Sequence, residues 1–341
     1  MSHPVPKVAF VTGCNGVNGN AIVKHLIRQP REEWSRSVIT SRSPLKNYWQ
    51  DPRIDFVAID FLAPLEDIIL WMTGVCEDIT HAYFTPYSHT DGFTKLRDFN
   101  APLFESFFLT AIDKVAGPSL QRVCLQTGGK NYGVHLGPVE VPTFEETARY
   151  EDHGLNFYYL QEVFMFRLRA QRNWSWNIIQ PNGIVSFTPA SHHPSPLHAN
   201  LQGTGQIPKF PGNKYFYEAV DDSSFAGGIA DMSIWATTNE HTKNEAFNHA
   251  NGDGEGVVHS FRMGVCDKYG SSKEALDWGT WAFFDWSVGK AWPTISSINK
   301  ARRMGWKRQD GTYETYIDTF KSFENAGILP PNCDLSPVFQ V

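Results

Sequence analysis

Glycines at 13, 16 and 19 stand in the run Thr12-Gly13-Cys14-Asn15-Gly16-Val17-Asn18-Gly19, between the apolar stretch Val8 to Val11 and a segment of amphipathic period. That context gives the spacing a chemistry. Glycine is needed where the backbone turns sharply and where a pyrophosphate presses against it, and the amides that open the following helix attract the anion. Thr12, Gly13, Asn15, Gly16, Val17 and Gly19 are therefore the expected cradle for a dinucleotide. After the next strand-like segment, Ser37 to Thr40, comes Ser41-Arg42-Ser43 with no carboxylate. A carboxylate there would hold a ribose 2′-hydroxyl, whereas an arginine flanked by hydroxyls suits a 2′-phosphate. The expected cofactor is NADP(H), with Ser41 and Arg42 on its phosphate. Asp60 and Phe61, just past a third strand, fall at the adenine end, although a plain surface turn accounts for Asp60 nearly as well.

The second constellation pairs phenols with an ammonium. A lysine four residues after a tyrosine on one helix would sit a turn away and lower the phenol's pKa. The helical segment carrying Tyr158 and Tyr159 breaks that pattern, with Glu162 and Val163 at the two positions. Asn156-Phe157-Tyr158-Tyr159-Leu160-Gln161-Glu162 instead resembles the Asn-Phe-Tyr-Tyr-x-x-Glu-Asp motif of the progesterone 5β-reductase/iridoid synthase-like proteins, atypical extended short-chain dehydrogenases. Thr127-Gly128-Gly129-Lys130-Asn131-Tyr132 is similar to that family's Thr-Gly-x-Lys-His-Tyr segment. Gln180-Pro181-Asn182-Gly183-Ile184, Lys243 to Asn248 with Asn251-Gly252-Asp253, and Lys300 to Trp306 through Leu329-Pro330 extend the likeness over most of the chain.

The resemblance implies that Tyr158 is the catalytic tyrosine and that Lys130, at the end of the fifth strand, replaces the lysine missing from the helix. It implies 1,4-reduction of an activated C=C bond: hydride passes from NADPH to the β-carbon of an enone or enal. The Tyr158 hydroxyl meets the carbonyl oxygen as it becomes an enolate. Cofactor contacts would extend to Thr85, Gln126, Thr127, Lys130, Tyr158, Pro181, Asn182 and Ile184, the last three through backbone beside the carboxamide. Tyr83, Tyr132 and Phe283 would line the substrate pocket. Plainer accounts stand beside these: Tyr158, Tyr159 and Phe283 as core aromatics, Lys130 as a surface lysine. A polarised carbonyl over a nicotinamide also serves carbonyl reduction, isomerisation or cyclisation. A non-catalytic dinucleotide-sensing module is a third reading, against which the retention of Tyr158 and Lys130 argues. The sequence departs from the family at Val163, and it runs short between Ser195 and Gly205 and between Asp253 and Asp267, which puts the substrate class in doubt more than the cofactor.

These residues need a scaffold, and the chain supplies one. Strand-like runs at 7–12, 37–40, 54–59, 80–84, 121–126, 176–179 and 245–248 alternate with helical segments, one long one around 100–116. The expected fold is α/β, a Rossmann-type doubly wound parallel sheet with a smaller, mainly helical C-terminal substrate-capping region. Residues 5–187, rejoined by about 218–252, would form the NADP-binding domain; 188–217 and 253–341 would form the cap. A net charge of −6 without basic runs argues against nucleic acid or an anionic membrane as partner. Five scattered cysteines without a Cys-x-x-Cys pair suggest neither a disulfide framework nor a metal site. No apolar run approaches a membrane span. A cytoplasmic protein acting on a small molecule is expected, with a homodimer left open.

Overall fold

Alternate residues of each strand enter opposite apolar layers, and this parity organises the molecule. The computed structural model describes residues 5–46, 49–90, 92–150, 152–189, 213–252, 286–287 and 289–328. Strands β1 (Lys7–Thr12), β2 (Trp34–Ser41), β3 (Ile54–Ala58), β4 (His81–Phe84), β5 (Arg122–Gln126), β6 (Ser175–Pro181) and β9 (Glu245–His249) form one sheet in the order β3-β2-β1-β4-β5-β6-β9. Every pairing in it is parallel. Val8, Phe10, Val38, Ala82, Phe84, Val123, Leu125 and Ile178 bury on one face. Ala9, Val11, Ile39, Tyr83, Cys124, Ile179 and Phe247 bury on the other. A strand covered on both sides reads as a continuous apolar run, as Val8 to Val11 does, whereas β3 at the sheet edge has no buried residue.

The first face is covered by α2 (Leu65–Met72), α4 (Thr110–Ala116) and α5 (Phe157–Arg169), while α3 (Phe93–Pro102) packs on α5 through Leu96 and Ala101, beside Phe157 and Tyr158. The helical stretch expected around 100–116 is not one regular helix. Residues Leu103–Leu109 make a wide π-turn, entered at Pro102, which has no backbone N–H to donate. The other face carries α1 (Val17–Leu26), packed through Ile22, Val23 and Leu26. A short helix, α6 (Lys214–Glu218), precedes α7 (Ala226–Thr238), which lies against α1. Gly228 of α7 lets His249 and Asp310 come close, since a Cβ there would stand 2.7 Å from His249 Nε2 and 2.5 Å from Asp310 Oδ2. Two short strands, β7 (Gly183–Val185) and β8 (Ser223–Phe225), pair beside the main sheet.

The division expected at residue 253 cuts through this core. Ala301, on α8 (Asn299–Arg303), and Trp306 bury in the same cluster as Met232 and Phe247. The Trp306 indole N–H donates to Asp231 at 2.8 Å. A last helix, α9 (Thr312–Asn325), packs on β7 and β8, with Phe323 edge-on to Phe187. No helix among the described residues is long and apolar enough to cross a membrane.

Candidate active site

Strand order reverses its direction of growth between β1 and β4, and in open parallel sheets the crevice beyond the strand ends opens at that point. Two loops meet there. Gly13, at φ +68°, occupies the left-handed region, and a Cβ on it would stand 3.0 Å from Thr85 Oγ1 and 3.3 Å from Pro86 N. A Cβ on Gly19 would meet Gly13 O at 2.4 Å, so α1 seats directly on the turn that precedes it. Gly16 is exposed at the N-terminus of α1, which no side chain caps. The cradle thus fits a pyrophosphate: bare backbone and an open helix end face the crevice.

Asn15 ties this loop to the one after β2. Its amide group lies 2.8 Å from Ser41 Oγ, 3.1 Å from Ser43 Oγ and 3.0 Å from Pro44 O, while its Oδ1 accepts from Lys46 N at 3.0 Å. Arg42 projects exposed from that loop without a hydrogen bond or ion pair to any described residue. At the end of β5, Gln126 Oε1 and Thr127 Oγ1 are buried polar atoms without partners, as groups awaiting a ligand would be.

Tyr158 opens α5 nearby. Asn156 caps that helix by accepting from Tyr158 N at 3.2 Å, and its amide donates to Lys130 O at 2.8 Å. One side chain therefore fixes the helix start against the β5 loop. The two adjacent tyrosines have opposite fates. The Tyr159 hydroxyl donates to Asn131 O and accepts from Tyr150 N. The Tyr158 hydroxyl makes no hydrogen bond to a described residue and lies 3.5 Å from where a Cβ on Gly128 would stand. Burial, then the neighbouring Tyr87, pushes the Tyr158 phenol above its ordinary pKa. It remains a neutral donor through the physiological range. Glu162, where a lysine would be one turn on, is buried and paired with Arg149.

Lys130 reaches the same corner, but its ammonium donates to the Tyr87 hydroxyl at 2.7 Å and sits 4.8 Å from that ring's centroid. Loss of water lowers Lys130 to about 8. Tyr87 lies outside every sequence motif, and Asn156, first in its motif, carried no expected role. Asn156 was legible as a helix N-cap two residues before Tyr158; Tyr87, just beyond the proline that ends β4, carried no pattern.

Several expected site residues take other roles. Tyr83 pairs with Val11 inside the sheet, so its ring enters the layer under α7 and its hydroxyl meets Thr237 Oγ1 at 2.7 Å. Strand parity removes it from any pocket. Tyr132 is buried, with its hydroxyl 2.6 Å from Asn248 Oδ1 and 3.3 Å from Gln180 Oε1, tying β5's loop to β6 and β9. Thr12 Oγ1 donates to Tyr83 O and Thr85 Oγ1 donates to Thr12 O, so both hydroxyls lock β1 to β4. Phe61 buries its ring against Phe10. Asp60 Oδ1 closes a turn onto Leu62 N, the plainer account given above. Asn182 commits its backbone N–H to Ser224 Oγ and its amide to Thr294 O and Ser296 Oγ. Ile184 lies half-buried in β7, and Pro181 ends β6 with its carbonyl 3.2 Å from a Cβ built on Gly128. Val17 is half-buried at the start of α1. Phe283 lies outside the described residues. So do Tyr269 and Lys273, which have the four-residue spacing that the Tyr158 helix lacks.

A family model described as the PRISE-like Rossmann-fold domain matches residues 9–270. A short chain dehydrogenase of Penicillium aethiopicum, gsfE, is 34% identical to this chain, covering 96% of it and 100% of the relative. That alignment runs over 381 positions against a chain of 341 residues, so the relative carries segments that this chain lacks. A 3-oxo-Δ4,5-steroid 5β-reductase of Arabidopsis thaliana is 26% identical across 95% of this chain and 94% of its own. Among solved structures, the terminal R domain of the myxalamid biosynthetic pathway superposes with a TM-score of 0.67 at 14% identity, over 96% of this chain and 93% of that one, a likeness of fold.

Proposed function

This chain belongs to the PRISE-like family of Rossmann-fold proteins, within the short-chain dehydrogenases, and from that premise we propose that it is an NADPH-dependent reductase of an enone or enal. The observation that carries the reading is the unequal pair of tyrosines: Tyr159 spends its hydroxyl on backbone, and Tyr158 gives its own to no described residue, protonated and beside the β5 loop. NADPH, when bound, supplies hydride for the substrate's β-carbon. Its phosphates would rest on Gly13, Gly16 and the opening of α1, and its 2′-phosphate on Arg42 and Ser41.

The chain's own residues do the rest. As the conjugated C=C bond accepts hydride, charge moves to the carbonyl oxygen, and the neutral Tyr158 hydroxyl donates a hydrogen bond to it there. A phenol held above its ordinary pKa is a donor and not a base, which favours polarising a carbonyl over deprotonating an alcohol. Lys130 adds positive charge at the same edge, where burial leaves few waters to screen it. Asn156 sets the spacing between the two by holding Lys130 O and Tyr158 N at once.

The test is consumption of NADPH with a panel of small cyclic enones, enals and saturated ketones. Turnover of the conjugated acceptors, lost in Tyr158→Phe and Lys130→Ala, supports the proposal. Binding of NADPH without oxidation by any acceptor overturns it and leaves the dinucleotide-sensing reading.

A further inference from the structure

Tyr87 stands in the loop after β4, across the crevice mouth from Lys130 on the loop after β5. Its ring is backed by Phe157, centroid to centroid 6.0 Å, and Phe157 stacks on Tyr158 at 4.3 Å. The ring is thus anchored on one side while 42% of the residue stays exposed. We propose that Tyr87 is a positioning residue for Lys130: its hydroxyl oxygen accepts a hydrogen bond from the ammonium and its ring lies within cation–π range, which keeps the lysine charged and holds it at the mouth of the crevice. The inference goes beyond the residues of the proposed reaction but rests on that reading for the use of Lys130.

The geometry leaves the task to Tyr87. No carboxylate among the described residues forms an ion pair with Lys130, and the Tyr87 hydroxyl is the acceptor that the ammonium has among them. Four other titratable groups surround the corner. His135 is lowered to about 4 by burial and then by Lys130 itself, so it stays neutral and fixed in charge wherever Lys130 titrates. His89 packs behind Tyr87, at 6.3 Å between rings. Asp152 spends its carboxylate on the amides of Gly154 and Asn156. Tyr158 remains protonated. A half-buried ammonium that would otherwise shed its proton readily is therefore held charged mainly by one phenol oxygen.

Tyr87→Phe removes that oxygen and keeps the ring, and the exposure of Tyr87 lets the variant fold. The direct readout needs neither substrate nor cofactor: a titration of [ε-13C]lysine-labelled protein by NMR, with the Lys130 resonance identified from its absence in Lys130→Arg. The loss of one hydrogen bond to a charged group predicts that the ammonium in Tyr87→Phe dissociates about tenfold more readily, a midpoint about one pH unit lower. A midpoint unchanged or raised overturns the inference. Lys130→Ala keeps the two ideas apart: if it turns over enones like the parent, the functional reading of Lys130 fails whatever the titration shows. If it is impaired while the Tyr87→Phe titration matches the parent, only the role of Tyr87 fails.

Discussion

Replacing Gly19 with alanine and, separately, Gly16 with alanine should damage different properties, although Gly16 caps α1 and Gly19 lies in its first turn, only three residues on. At Gly19 the new methyl would lie 2.4 Å from Gly13 O, 2.7 Å from Gly13 C and 3.0 Å from Cys14 Cα, all backbone atoms that cannot swing aside. Forcing a methyl into such a contact costs about 3 kcal/mol. Alanine's better helix propensity returns about 1 kcal/mol of that, leaving a net loss near 2 kcal/mol. For a chain of 341 residues the loss corresponds to a melting temperature lower by about 3 °C. At Gly16 the backbone is extended at φ −79°, ψ 162°, which any residue adopts, and the single close contact is Gly13 O at 3.2 Å. Because Gly16 is the helix N-cap, where alanine is poorer than glycine, stability should fall by about 1 kcal/mol or less. If the proposed cradle holds a pyrophosphate, a methyl at this exposed position should hinder its close approach to the backbone, and dinucleotide affinity should fall at least about tenfold. Thermal melts of the apo-proteins, followed by titration with NADPH, separate the effects. A Gly19→Ala protein melting with the parent, or a Gly16→Ala protein binding NADPH unimpaired, would refute the account of this loop.

Three further outcomes follow from the geometry. Tyr158→Phe should lower turnover about 100-fold or more with the melting temperature unchanged, because its hydroxyl has no described partner. Tyr159→Phe should keep most turnover and lose about 1 to 2 kcal/mol of stability, since it strands Asn131 O and Tyr150 N; the reverse pattern would reassign the catalytic tyrosine. Turnover should fall as pH rises through about 8, where Lys130 loses its charge, and Lys130→Arg should flatten that limb. Stability should move the other way. The folded lysine titrates below the unfolded value of 10.5, the unfolded chain therefore binds more protons between the two, and this group's contribution rises with pH across that window. Asn15→Ala frees the Arg42 loop and should reduce discrimination between NADPH and NADH about threefold to tenfold in measured KM values. In an Arg42→Ala background it should reduce discrimination no further.

The sheet was legible because the central strands, buried on both faces, keep short apolar runs such as Val8 to Val11, and because Gly13, Gly16 and Gly19 have no cheaper explanation than a turn pressed against a helix. The site was legible only where residues lie beyond a strand's last pairing. Tyr83 shows the limit: one residue before the end of β4, parity sends its ring under the sheet, and motif position alone cannot register that. Thr12, Thr85 and Tyr132 carry polar groups that sequence offers to a ligand and the fold spends on neighbouring strands. Tyr87 follows a proline in a loop without periodicity, so only the folded chain brings it to Lys130. The segments at 188–217 and 253–341 show no repeating pattern, and the Penicillium relative carries segments that this chain lacks.

The central claim is where the hydride goes, and isotope tracing answers it directly. With NADPH deuterated at the transferred position and a conjugated enone as acceptor, the account predicts a saturated ketone with deuterium on the β-carbon, formed by the parent protein and not by Tyr158→Phe. Deuterium on the carbinol carbon of an allylic alcohol, or cofactor bound with no transfer to any acceptor, would contradict it.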